Sequence, residues 1–599
     1  MTGQMQAFMK KWKTVNKIKN PARLANKSVT GRQKPRLPKP GTGGQTKTEI
    51  EEIIQILLQN RNIKTKKEIE EFLNPKLSEV TVSSVKITKL QVEKSVKRIK
   101  KAIKNNEQIV IFGDYDVDGI CGTAILWETL NGLGAKVMPY IPNRIDEGYG
   151  LSQKGISNLK SQISNIGLII TVDNGIVANK AVDFAKKQGI DVIITDHHVV
   201  SKSLPKAFSI VHTTLLCGAG VAYLLAKEIK NPARLASESV TGRQKSSIIN
   251  HYDHLELVAL ATVADLVPLL GANRTLLKYG LLELQKTKRP GLLALFREAQ
   301  IDPENIGVYE IGHIIAPRLN AMGRLESAMD SLRLVCTTNK ERAGELALKL
   351  GLTNKERQNI TEEATLNAKT KVRSSGAEKD SLLFIYDSSY DQGVIGLVAG
   401  KLVEEFYKPS IVLSKGEKYS KASARSVSGF NMVEFIRNEL DLLVDVGGHP
   451  MAAGFTIETD KIPILEKRLK KRAEKLLKKE LLERSIRIDL EIPFSQISQA
   501  LYDAIQKLQP FGMKNTEPLF LTSNFIIEDL RLVGNGGKHL KIRFTIQDSR
   551  FTIEGIAFGM GDSNEFKIGD SVDIVYTLDE NKWNGYKKLQ LKIKDMHKN

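Results

Sequence analysis

The residues that could do chemistry gather in four short strings, each at the end of an apolar run. Asp114-Tyr115-Asp116-Val117-Asp118-Gly119 follows IVIFG (109–113), and Asp173 follows GLIITV (167–172). Asp196-His197-His198 closes DVIIT (191–195), and Asp265 ends LVALATVAD. Three carboxylates within five residues repel one another, so a positive species belongs among them. A single Asp in such a place is ordinarily a helix N-cap. Four acidic or imidazole-bearing ends together are not explained that way. Oxygen donors with one or two imidazoles suit Mg2+ or Mn2+ better than zinc. Five or six such donors exceed what one ion with open positions would use. They indicate two ions bridged by a carboxylate, the arrangement of in-line phosphoryl hydrolysis. A calcium loop is excluded, because the place of its last glutamate falls in Thr123–Ile125.

The apolar runs are short and β-branched, with helix-like segments between them. That pattern predicts a buried parallel sheet of βαβ units, whose ligands lie at the carboxyl ends of the strands. The expected layout is α/β multidomain. A basic arm and linker occupies 1–48, and a metal-bearing parallel-sheet domain 49–275. A helical connector at 276–375 contains one long helix, and a second α/β domain covers 376–484. The alternating strands of 485–599 suit an OB-type β-barrel. The basic amphipathic helix near 462–484 reads as a solvated helix face.

Composition narrows the partners. The chain has 599 residues, 41% hydrophobic and 26% charged, which are globular values. Lys and Arg number 89 against 68 acidic residues, a net +21 that points to polyanions, usually nucleic acid. Twelve of these basic residues fall in 1–48, which has no Asp or Glu. Cys121, Cys217 and Cys336 are too few and too scattered for a disulfide framework. A reducing, cytoplasmic location is therefore expected, with no membrane span. Cys121 and Cys217 read as buried small residues, Gly218-Ala219-Gly220 as a site of tight helix packing, and His313 as a core histidine. His539, on a barrel strand, reads as a DNA contact or as surface packing, and the aromatics Phe525, Phe544, Phe551, Phe558 and Trp583 as barrel core or base-stacking groups. Residues 18–34 recur at 229–245, identical at 15 of 17 positions. One sequence cannot be fitted to two surroundings, so this segment reads as an insertion without chemistry. Deleting 231–244 is expected to leave turnover unchanged at low and high salt. If Arg234, Arg243 and Lys245 gripped DNA, the deletion would flatten the salt dependence.

GDYDVDG, TVDNG, the DHH triplet and TVADLVPL, in this order, resemble the four metal-site motifs of the DHH phosphoesterase superfamily. APRLNAMGRL (316–325), DQGVIGLVAGKL (391–402), SARSVSGFNM (423–432), GGHPMAAGF (447–455) and PFGMKNTEPLF (510–520) are similar to strings of the bacterial RecJ family. The resemblance implies a DHH domain, a DHH-associated domain and an OB barrel. The implied activity is a single-strand-specific 5′→3′ DNA exonuclease releasing 5′-mononucleotides, in repair and recombination, with two Mn2+ or Mg2+ ions. Asp116 would serve the first metal, Asp118 the second, and Asp173 both. His197, Asp265 and Asp114 would complete the centre. His198 would face the scissile phosphate, with Gly448 and His449 across the cleft. Arg318, Asn320, Arg324 and Arg425 would hold phosphates, Arg being suited by its bidentate fork. The implied partners are single-stranded DNA, a single-strand-binding protein and repair helicases, for a monomer. Phe112 stands where some superfamily members carry a metal-binding His. Two other readings are a phosphodiesterase of short oligonucleotides or cyclic dinucleotides, and a non-catalytic single-strand-binding scaffold.

Overall fold

The computed structural model describes residues 10–15, 47–144, 146–201, 203–231, 254–547, 551–561, 565–583 and 585–599. The chain divides into two units, Lys76–Leu482 and the pair of segments Met1–Pro75 and Glu483–Asn599.

In the larger unit the predicted parallel sheet is present. Its strands are β1 (Gln108–Phe112), β2 (Val137–Tyr140), β3 (Ile166–Val172), β4 (Asp191–Asp196) and β5 (Ser209–His212), in the order β2-β1-β3-β4-β5, all parallel. Helices cover both faces, which is why these strands read as continuous apolar runs. Ile109, Ile111, Leu168 and Ile170 pack towards helices α1 (Val117–Gly132), α2 (Gly218–Lys230) and α3 (Leu255–Ala264). Val110, Phe112, Ile169 and Ile194 pack on the other side, towards the helices Gln153–Gln162 and Asn179–Lys187. Further on come α4 (Ala316–Leu325) and the expected long helix α5 (Lys340–Ser374) of 35 residues. A second sheet follows, of β6 (Leu383–Asp387), β7 (Ser410–Ser414), β8 (Tyr419–Arg425), β9 (Leu443–His449) and β10 (Ala452–Glu458). Its order is β9-β10-β8-β7-β6, with β6 and β7 parallel and the other pairs antiparallel. The basic helix Ile462–Leu476 seats Ile462, Leu465, Leu469 and Ala473 in the core of this sheet, and its lysines stay outside.

The smaller unit holds a closed barrel of Phe520–Val533, His539–Thr545, Ile553–Ala557, Tyr586–Lys598 and Ser571–Trp583, the last pairing back with the first. Phe525 and Phe544 are buried in it, whereas Phe551 and Phe558 are exposed. The Trp583 side chain lies outside the described residues.

Two boundaries differ from expectation. Helices Lys47–Asn60 and Lys66–Leu73 belong to the barrel unit, not to the metal domain expected from residue 49. Buried Arg61 shows why, since its Nε donates to Asn515 Oδ1 at 2.7 Å and its Nη1 to the Leu57 carbonyl at 2.6 Å. The basic arm also contains a strand. Lys11–Thr14 pairs in parallel with Ser485–Ile488. Trp12 stacks on His597 at 3.8 Å and donates from Nε1 to Asp595 Oδ2 at 2.8 Å. Alternation in KWKT turns Trp12 inward, onto Ile488, Leu521 and Val575. The rest of 1–48 and nearly all of the repeated segment lie outside the described residues. No helix among the described residues is long and apolar enough to cross a membrane.

Candidate metal centre and adjoining cavity

The centre is assembled at the carboxyl edge of the first sheet. Asp116 caps α1, its Oδ1 accepting from the N–H groups of Asp118 (3.0 Å) and Gly119 (3.1 Å). A Cβ on Gly119 would lie 2.5 Å from the Asp114 carbonyl oxygen, so this turn closes only with glycine. Asp118 reaches across to α2, where the N–H groups of Gly218 (2.6 Å) and Ala219 (2.7 Å) donate to its two oxygens. The Gly218-Ala219-Gly220 string thus holds a carboxylate of this chain at a helix N-terminus. Close packing explains its first glycine, because a Cβ there would sit 2.6 Å from the Asp173 Cβ. Asp173 follows β3 with a left-handed φ of 63°. Asp265 caps the carboxyl end of α3.

These side chains converge. Asp114, Asp116 and Asp173 offer oxygens within 4.8 Å of one another, as do Asp118, His197 and Asp265 with their ligand atoms. His197 Nε2 is 3.0 Å from Asp173 Oδ1, 3.5 Å from Asp265 Oδ2 and 3.7 Å from Asp118 Oδ2. Asp173 therefore touches both groups. Asp114 Oδ1, Asp173 Oδ1, His197 Nε2 and Asp265 Oδ2 are all buried without a hydrogen-bond partner. Each such atom costs on the order of 1–3 kcal/mol, and four aimed at one space fit a cation site. Burial and mutual repulsion push the carboxyls of Asp114, Asp116 and Asp173 above the usual carboxylate range, and that of Asp265 up to about 9. These donors fit Mn2+ or Mg2+, hard ions that prefer oxygen.

A pH prediction follows for the metal-free chain. A carboxyl whose folded pKa is raised holds its proton in the folded state after the unfolded chain has lost it, so stability falls as pH rises. For Asp265 that window runs from the ordinary value near 4 to about 9. Melting temperatures are expected to fall across it, and Mn2+ to stabilise more at pH 8 than at pH 6. A metal-free melting curve flat over the window would contradict this.

His198 is held from both sides. Its Nδ1 lies 2.8 Å from Asp196 Oδ1, which also accepts the N–H groups of His197 and His198. Its Nε2 lies 3.2 Å from the Tyr149 hydroxyl, and that hydroxyl donates to the Asp173 carbonyl at 3.2 Å. Burial disfavours the imidazolium, but the Asp196 hydrogen bond and charge outweigh it and raise the His198 pKa. The His449 ring is nearly parallel to that of His198, with centroids 6.0 Å apart.

Next to the centre lies a cavity of about 380 Å³, lined by Tyr115, Arg144, Tyr149, Arg324, Lys421 and Arg425 among others, with Asp445 also at its wall. Tyr115 follows Asp114, and Tyr149 bonds His198, so the two spaces share a wall. Arg144 lies over the Tyr115 ring at 5.2 Å. Arg324 donates to the Gly393 carbonyl at 3.1 Å, and Arg425 to Ser423 Oγ at 3.1 Å and the Ala424 carbonyl at 2.9 Å. Burial, then repulsion from Arg144, Arg357 and Arg425, pulls Arg324 down to about 10. Burial and Arg144 lower Arg425. An anion seated among these guanidiniums would relieve their mutual repulsion.

Not every expected residue points there. Arg318 is ion-paired with Glu298 (2.7 Å), donates to the Ile314 carbonyl (3.1 Å) and does not line the cavity. Asn320 accepts the Val117 N–H at 3.0 Å and so fixes the start of α1. Gly448 and His449 end β9, His449 beside His198. His313 is exposed, not core. Arg144 and Tyr149 were missed by sequence reasoning, although the polar, glycine-rich string NRIDEGYG (143–150) follows β2 and so meets the same strand-end rule. Asp196 was read only as part of its triplet, and its role in orienting His198 appears with the fold.

Three family models match this chain: the DHH family N-terminal domain at 108–262, the DHHA1 domain at 379–479 and the RecJ OB domain at 488–595. The single-stranded-DNA-specific exonuclease RecJ of Escherichia coli is 30% identical over 566 residues, covering 91% of this chain and 96% of that protein. The Bacillus subtilis protein of that name is 36% identical over 516 residues, covering 84% of this chain and 63% of the relative's length. A crystal structure of RecJ from Thermus thermophilus in complex with Mn2+ matches with a TM-score of 0.75 at 27% identity, covering 93% of this chain and 78% of that one.

Proposed function

The chain belongs to the RecJ family of single-stranded-DNA-specific exonucleases, and we propose that it removes nucleotides from the 5′ end of single-stranded DNA by metal-dependent hydrolysis, releasing 5′-mononucleotides. The observation that carries this reading is the shared wall between the acidic cluster and the arginine cavity. Asp114, Asp116 and Asp173 would hold one divalent cation, and Asp118, His197, Asp265 and Asp173 a second. Bound there, Mn2+ or Mg2+ supplies a water of lowered pKa and positive charge for the developing oxyanion. The chain's own residues do the rest. Arg324, Arg425 and Arg144 would seat the terminal 5′-phosphate, a short fixed distance from the carboxylates, which makes cleavage exonucleolytic. His198, oriented by Asp196 and Tyr149, would donate from Nε2 to the scissile phosphate, with His449 alongside. A cleft that admits one strand and refuses a duplex would make this activity single-strand-specific. The same reading carries a single-strand-binding protein and repair helicases as partners of a monomer, and it rests there on the family alone.

The test is single-stranded DNA labelled at either end, incubated with Mn2+. A 5′ label is expected to leave as mononucleotide from the first turnover. Initial release of the 3′ label would overturn the polarity. A further prediction concerns the barrel. All the candidate ligands and the cavity lie in Lys76–Leu482. A fragment of that unit is expected to cleave short oligonucleotides but to bind long strands at least about tenfold more weakly, since OB barrels hold strands by stacking and charge. An unchanged apparent affinity for long strands would refute it.

A further inference from the structure

One exposed aromatic pair has no part in this reading. Tyr309 and His313 stand one turn apart, just before α4, with ring centroids 4.5 Å apart and planes 18° from parallel. Tyr309 is 63% exposed and His313 is also exposed, whereas Ile311 and Ile315 of the same segment are fully buried. The segment is anchored from within and presents the ring pair to solvent. His313 Nδ1 lies 3.2 Å from the Tyr309 carbonyl and, as a donor, fixes the imidazole against the phenol. Ile311–Ile315 is π-helical, a rare geometry that is frequent at functional sites.

Its position suggests the function. A Cβ at Gly312 would meet Val263 at 3.7 Å, in the last turn of α3 and two residues before Asp265. Leu266 follows Asp265, 66% exposed and with a left-handed φ of 54°, a conformation strained for leucine. An exposed stack and a strained exposed leucine thus belong to elements at the Asp265 end of the acidic cluster. The arginine cavity adjoins the cluster through Tyr115 and Tyr149 instead.

We propose that Tyr309 and His313 form a stacking step for an unpaired nucleobase on the 3′ side of the scissile phosphate. This deepens the reading above and rests on it. With the 5′-phosphate among the arginines, the remaining strand must leave the cluster on another side, and the Asp265 side offers the aromatic faces. Every base has a π-face, so the step is indifferent to sequence, while a paired base inside a duplex cannot reach it.

The test uses the full chain with Mn2+, comparing wild type with Tyr309→Ala, His313→Ala and the double variant. Two substrates are needed. One is a 5′-phosphorylated 12-mer with 2-aminopurine as its second base. The other is 5′-phosphothymidine whose 3′-phosphate carries a methyl ester in place of the next nucleoside. The double variant is expected to raise KM for the 12-mer roughly 10- to 100-fold, with kcat within about twofold and the methyl ester hydrolysed as by wild type. It should also lose the quenching of 2-aminopurine on binding, and Tyr309→Phe should restore it. Wild-type KM and quenching in the double variant would overturn the proposal, as would equal losses on both substrates, which would mark a merely structural role. Quenching is read on binding alone, so it decides the step separately from whether the strand is cut.

Discussion

Asp173→Asn is expected to abolish hydrolysis while raising the melting temperature of the metal-free chain. Asp173 touches both ligand groups, so its loss disrupts the pair of sites and not one coordination bond. Partners outside the ligand layer already cost 10- to 100-fold when removed, and a shared ligand should exceed about a hundredfold. The opposite effect on stability follows from its burial. Its Oδ1 has no hydrogen-bond partner, and burial with repulsion from Asp118, Asp116, Asp114 and Asp265 raises its pKa. A neutral amide of nearly the same shape relieves that repulsion and keeps the close packing against Gly218. Mn2+ titration followed by thermal shift should show the variant starting higher and gaining less than wild type. A folded Asp173→Asn or Asp173→Ala protein with substantial Mn2+-dependent nuclease activity would sink the shared-ligand assignment.

The acidic cluster was legible in the sequence because each member ends an apolar run, and a parallel sheet brings such ends together whatever lies between. The cavity was only half legible for a geometric reason. Arg318 and Arg324 share α4, six residues apart, which is about 240° around a helix. They cannot face one space, and nothing local says which of them will. Arg324 turns to the cavity and Arg318 to Glu298. Arg144 comes from the loop after β2 and Arg425 from the end of β8, in two different sheets, so their meeting depends on how those sheets pack. The barrel could be read from its alternation, with Leu540, Ile542 and Phe544 buried between half-exposed His539, Lys541, Arg543 and Thr545. Helices Lys47–Asn60 and Lys66–Leu73 show the limit of such patterns. An amphipathic stripe says that a helix packs, but only a buried partner such as Asn515 for Arg61 says against which core.

The double variant Arg324→Gln, Arg425→Gln is expected to lower kcat/KM on 5′-phosphorylated single strands by about a hundredfold or more, and much less on strands ending in a 5′-hydroxyl. A hydrogen bond to a charged group contributes about 1.5–3 kcal/mol, so two guanidiniums on one phosphate account for that range. The fold should survive. Arg324 is held by one backbone carbonyl, Arg425 by one hydroxyl and one carbonyl, and both sit where neighbouring positive charge already disfavours them. Removing them relieves repulsion in the empty cavity, so the melting temperature should hold or rise even as activity falls. Metal binding should not change, because none of the clustered ligand atoms belongs to these residues. Comparing the two ends separates a phosphate seat from a general loss. If both substrates slowed equally, or if the phosphorylated strand were cleaved as by wild type, the cavity would not hold the terminal phosphate. The placement of the 5′ end beside the carboxylates, from which the exonucleolytic polarity was derived, would then fail with it.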